Sequence, residues 1–103
     1  MNATEKIVFK GEMFEWRGPA PYYFISIPAP ESAMIKERAS ELSYGWGVIP
    51  VIGNIGETEF TTSLIPKDDV YLLPIKNVVR LGEKIEVGQI VHVAVVLQGR
   101  QGL

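Results

Sequence analysis

The sequence predicts a mainly β protein: a small, partly open β-barrel of six to seven strands with two short α-helices. Three observations predict it. Six runs rich in β-branched and aromatic residues are separated by clusters of Gly, Pro and Asp. Two stretches beside prolines carry helical spacing instead of alternation. The chain has 103 residues, 47% of them hydrophobic, which is one domain's length and enough apolar material for a single core. Closing short strands into a barrel protects their edges.

The first strand spans Ile7 to Trp16. Ile7, Phe9, Gly11 and Met13 alternate with Val8, Lys10 and Glu12; Phe14 and Trp16 fall on the other parity, which predicts a bulge near Gly11. Arg17-Gly18-Pro19-Ala20-Pro21 is a turn, and Tyr22 to Ile27 a second strand. Pro28-Ala29-Pro30 stops it. Glu31 and Ser32 favour a helix start, and Ile35, Ala39 and Leu42 line one helical face, with Met34 beside them.

Ser43-Tyr44-Gly45-Trp46-Gly47 reads as an aromatic loop. Val48 to Ile55 and Thr58 to Ile65 form a hairpin across Gly56-Glu57, with Pro50 marking the first arm as an edge or a kink. Pro66-Lys67-Asp68-Asp69 is a turn and Val70 to Leu73 a short strand. Pro74 then opens a helix over Ile75 to Leu81, ended by Gly82. Val87-Gly88-Gln89 turns the chain into a last strand, Ile90 to Leu97. One domain thus covers 7–97, and 98–103 is a frayed tail. Ser26-Ile27-Pro28 before the first helix echoes Leu72-Leu73-Pro74 before the second, so two strand–proline–helix–strand units follow one another.

Composition narrows the function. With no cysteine there is no disulfide framework, thiol nucleophile or zinc finger. Neither a charged-then-apolar leader nor an apolar run of about 20 residues is present, so the expectation is a cytoplasmic protein with no membrane partner. Ten Lys and Arg against twelve Asp and Glu give no overall cationic field for nucleic acid.

Several ordered segments resemble a bacterial family, domain of unknown function 1905. They are Phe9-Lys10-Gly11-Glu12, Tyr23-Phe24-Ile25-Ser26-Ile27-Pro28, Gly45-Trp46-Gly47-Val48-Ile49-Pro50-Val51 and Thr61-Thr62-Ser63-Leu64-Ile65-Pro66, then Tyr71-Leu72-Leu73-Pro74-Ile75-Lys76, Val79-Arg80 and Val87-Gly88. The resemblance implies a small β-barrel with helices packed on it, and no assigned activity. In a weaker likeness, Leu73 to Arg80 with Leu81-Gly82 and Val87-Gly88-Gln89-Ile90-Val91 is similar to swapped-hairpin transition-state regulators and antitoxins. Those are intertwined dimeric barrels with a basic strand before the proline; here that strand, Val70-Tyr71-Leu72-Leu73, is uncharged and follows Asp68-Asp69.

No catalytic constellation emerges. His92 is the lone histidine, Ser63 lacks a nucleophile elbow, and adjacent Asp68 and Asp69 read as solvated turn residues. Gly45 to Gly47 and Gly53 to Gly56 lack the spacing of a phosphate loop, so neither a cofactor nor a metal is expected. Lys76 and Arg80, one helical turn apart, are the candidate anion ligands, and Lys84, Lys36 and Arg38 would enlarge the patch if the helices were neighbours. Trp46, flanked by glycines, is a candidate gate, with Tyr44 and Tyr71 as further ligand-binding candidates. The expectation is a non-enzymatic module, monomeric or homodimeric, that binds a small ligand or anion. Two alternatives stand beside it: a dimeric DNA-binding or antitoxin-like regulator, and a protein-interaction domain.

Overall fold

A computed structural model describes residues 6–17, 21–41 and 48–98. Period-two alternation governs its strands, as in β3 (Ile49–Ile55), where Ile49, Val51, Gly53 and Ile55 are buried and the residues between them are not. The elements run β1 (Lys6–Arg17), β2 (Pro21–Ser26), α1 (Ala29–Glu41), β3, β4 (Thr58–Lys67), β5 (Val70–Ile75), α2 (Asn77–Gly82) and β6 (Ile90–Leu97). The strands form a closed ring in the order β1–β2–β5–β4–β3–β6, each antiparallel to both neighbours. The barrel is therefore closed, where the sequence predicted a partly open one. Inside it pack Phe9, Met13, Ile25, Val51, Leu64, Leu73 and Val95.

Closure depends on two strands changing partners. Residues 6–12 of β1 pair with β6, and residues 13–17 pair with β2. Likewise β4 pairs with β3 from Thr58 to Leu64 and with β5 only from Ile65 to Lys67. Each strand would keep an open edge along half its length. α1 packs on β1 and β5, and α2 packs on β4, so the helices lie against those two seams. Gly11 sits where the crossing is tightest: a Cβ there would lie 2.6 Å from the Ser26 carbonyl oxygen and 2.8 Å from Ile25.

No bulge forms in β1, because the register runs without interruption through both ladders. Phe14 and Trp16 share the outward parity of Val8 and Lys10. They form a second apolar cluster outside the barrel, with Phe24 6.0 Å from Phe14 and 6.2 Å from Trp16, centroid to centroid. Apolar alternation misread this surface as a change of parity. Pro50 belongs to neither an edge nor a kink: β3 is paired on both sides, and Pro50 lies one residue before the β6 ladder begins at Val51. Gln98 donates its N–H to the Pro50 carbonyl at 3.0 Å, so the tail is tied at its first residue; 99–103 lie outside the described residues.

α1 buries Ser32, Ile35 and Ala39 along one face, while Met34 is exposed and Leu42 lies outside the described residues. Ser32 acts where β2 and β5 separate. Ile27 still donates its N–H to the Tyr71 carbonyl at 2.9 Å, but the reciprocal bond is replaced by the Ser32 hydroxyl. That hydroxyl accepts the Tyr71 N–H and donates to the Ile27 carbonyl, each at 3.0 Å. It satisfies two main-chain groups that burial would otherwise leave unpaired.

Pro74 is not a helix starter. It pairs with Phe24 inside β5, and α2 begins at Asn77 after an extended Lys76 (φ −74°, ψ 154°). The direct bond between Ile27 and Tyr71 sets the ladder's phase, so the position of Pro74's missing N–H points away from β2, towards the side where β4 pairing has stopped at Leu72. Gly82 is the last residue of α2, but the left-handed cap lies beyond it. The Ile85 N–H bonds to the Arg80 carbonyl at 2.9 Å and the Lys84 N–H to the Leu81 carbonyl at 3.3 Å, a Schellman ending with Lys84 in the left-handed region (φ 57°). Buried Val79 and Ile85 supply its apolar contact.

Candidate functional site

β2 and β5 are antiparallel neighbours, so their C-terminal ends lie at opposite ends of the barrel, and with them α1 and α2. Lys36 and Arg38 on α1 therefore do not join Lys76 and Arg80, and the basic patch is confined to the α2 end. There the short helix carries Arg80 back over β2. Its guanidinium carbon lies 4.3 Å from the Tyr23 ring centroid, a cation–π stack. Nε and Nη2 donate to Asn77 Oδ1 at 3.4 and 3.2 Å. Tyr23 packs against the core, so the platform under the guanidinium is rigid.

The main chain fixes Arg80 as well. Its N–H bonds to the Lys76 carbonyl at 2.9 Å, and its own carbonyl is held by Ile85. Lys76, Asn77, Pro74, Tyr22, Tyr23 and Phe24 line an adjoining hollow of about 360 Å³. Among the described residues neither Arg80 nor Lys76 has a carboxylate partner. A stacked guanidinium with part of its donor set unused, beside a free ammonium, favours a carboxylate or phosphate.

Two larger depressions carry both signs of charge. One, of about 720 Å³, runs over β1 and β6 past Lys10, His92, Asn54 and Glu31. The other, of about 510 Å³, lies between α1 and the β4–β5 turn, where Lys67 and Asp68 pair at 3.5 Å. Tyr71 belongs to that end: it is buried in the core and lines the second depression with Ser32 and Lys36, away from Arg80. Burial pushes its phenol above the ordinary 10.0.

Of the five ligand-binding residues expected from sequence, Lys76 lines the hollow just before α2, Arg80 stacks on Tyr23 beside it, and Tyr71 lies elsewhere. Trp46 and Tyr44 lie outside the described residues. Sequence reasoning missed Tyr23 and Asn77. The pairing of Tyr23 with Ile75 was the signal for the first, since it sets that ring beside the start of α2. Asn77 stands three residues before Arg80, a spacing that puts both on one helical face. Asp68 and Asp69 are exposed turn residues, Ser63 pairs opposite Pro50, and His92 is exposed on β6. Among the described residues no three His, Cys, Asp or Glu side chains cluster to hold a metal, and no helix is long and apolar enough to cross a membrane.

Fold and site together define a small β-barrel closed by one chain's strands, with a hollow beside α2 lined by Lys76 and neighboured by Arg80. The chain belongs to the family described as Domain of unknown function (DUF1905), whose model matches residues 9–95. No curated protein matches it.

Proposed function

We propose that this domain is a non-enzymatic binding module that holds a small anion, carboxylate or phosphate, in the hollow beside α2. One observation carries the reading: Arg80 is stacked on Tyr23 and oriented by Asn77, yet has no carboxylate partner among the described residues. Lys76 supplies the second positive charge at the hollow's wall.

Titration calorimetry with pyrophosphate and with citrate tests it. Binding by the wild type should fall at least about tenfold in Arg80→Ala, the loss of a charged hydrogen bond. Circular dichroism should show an unchanged fold. Arg80→Lys should recover only part of the affinity, because an ammonium cannot reproduce a planar fork. Equal binding by wild type and Arg80→Ala would sink the reading.

A further inference from the structure

The hollow continues into an exposed aromatic shelf that the barrel does not use. Trp16 and Tyr22 are direct cross-strand partners on β1 and β2, and both face outward. The β2–β5 ladder pairs Tyr23 with Ile75, so the next residue on each strand sets Tyr22 beside Lys76. The hollow is thus lined by the Tyr22 phenol ring of β2 and the Lys76 ammonium just past the end of β5, with Trp16 on the neighbouring strand. Tyr22 is 58% exposed and Trp16 43% exposed, whereas Phe24 beneath them is half-buried. Lys67 lies 5.2 Å from the Trp16 ring centroid, and Phe24 meets that ring edge-on, which fixes Trp16 and leaves Tyr22 the more open face.

We infer that the anion held at Lys76, beside Arg80, is the phosphate of a nucleotide, whose base stacks on Tyr22. This deepens the anion-binding reading and rests on it. Charge and stacking are the two recognition elements a nucleotide needs, and both sit on rigid strands or a capped helix. A neutral sugar fits less well. It needs acceptors and amides around the ring, and the one amide lining the hollow, Asn77, already accepts from Arg80. The shared chemistry is a phosphate next to a base, whether in a free nucleotide or within a single strand.

Calorimetry with AMP, ribose 5-phosphate, pyrophosphate and a short oligothymidylate separates the outcomes. AMP should bind about tenfold or more tightly than ribose 5-phosphate, the scale of stacking one base on an aromatic ring. Tyr22→Ala should abolish that difference, while Tyr22→Phe should keep it. Equal affinity for AMP and ribose 5-phosphate in the wild type would overturn the nucleotide inference and leave the anion reading standing. Failure of pyrophosphate, ribose 5-phosphate and AMP alike would overturn both. Tighter binding of the oligonucleotide, with a steeper salt dependence than AMP shows, assigns the site to a single strand; equal or weaker binding assigns it to a free nucleotide.

Discussion

Single atoms decide several parts of this fold. The Ser32 hydroxyl replaces one bond of the β2–β5 ladder and serves two buried main-chain groups. Ser32→Ala should therefore cost about 2–4 kcal/mol in urea unfolding, since each buried group left unpaired costs about 1–3 kcal/mol. A loss below about 0.5 kcal/mol would mean that the two groups find other partners. Lys84 works the other way. It holds a left-handed conformation that glycine adopts without penalty, so Lys84→Gly should raise stability by about 1 kcal/mol. Tyr71 gives the molecule an alkaline weakness. Its folded phenol titrates above 10.0, so between that value and the folded pKa the unfolded chain has lost the proton and the native state still holds it. Stability then declines as pH rises through that window, and Tyr71→Phe should decline less steeply over the same range. None of these roles was legible in the residue types. A serine in a first helical turn reads as a capping residue, and only the separation of two strands distant in sequence gives its hydroxyl another task.

At the scale of elements, α2 matters most, because a six-residue helix is too short to persist without anchors. It has three. Val79 is buried in the core, Ile85 closes the Schellman ending, and Glu83 reaches the β3–β4 turn. There Thr58 donates its hydroxyl to Glu83 Oε2, and the carboxylate lies against Gly56, whose positive φ (57°) and missing Cβ the contact requires. Glu83→Ala should lower stability by about 1–2 kcal/mol, read as a shift of the denaturation midpoint at unchanged slope. The helix itself was legible between Pro74 and Gly82; its start was not, since α2 begins at Asn77. Pro74 and Gly82 are the residues that usually open and close a helix; Gly82 is the last residue of α2, but Pro74 was displaced into β5 by tertiary demands. Pro74 found a place in a strand whose outer side has no ladder partner at that point, and Ile85's burial set the left-handed cap at Lys84, two residues past Gly82. The i, i+4 spacing put Lys76 and Arg80 on one helical face, but Lys76 stands extended just before α2, and the Tyr23 contact needed the β2–β5 register.

Across the whole molecule, the proline–helix echo read from sequence becomes a property of the ring. Exchanging β1, β2 and β3 with β4, β5 and β6 returns the same neighbours in the order β1–β2–β5–β4–β3–β6. Each half, β-β-α-β, therefore places its helix at the opposite end, and each crossing strand packs against the helix of its own half. All six strands come from one chain, so the ring closes without a second copy, unlike the swapped-hairpin dimers that its second half resembles. Four of the six ladders join the two halves, namely β2–β5, β3–β4, β3–β6 and β1–β6. Neither half can open without breaking all four. Unfolding should consequently be a single transition, with tryptophan fluorescence and far-ultraviolet circular dichroism coinciding. Gly11 tests the same logic from within, because a methyl there presses on the Ser26 carbonyl, where rigid backbone gives way least. Gly11→Ala should cost about 1–3 kcal/mol and leave the two probes superimposed. Two separated transitions, in the wild type or in this variant, would show that the halves fold independently and that the ring is not the cooperative unit.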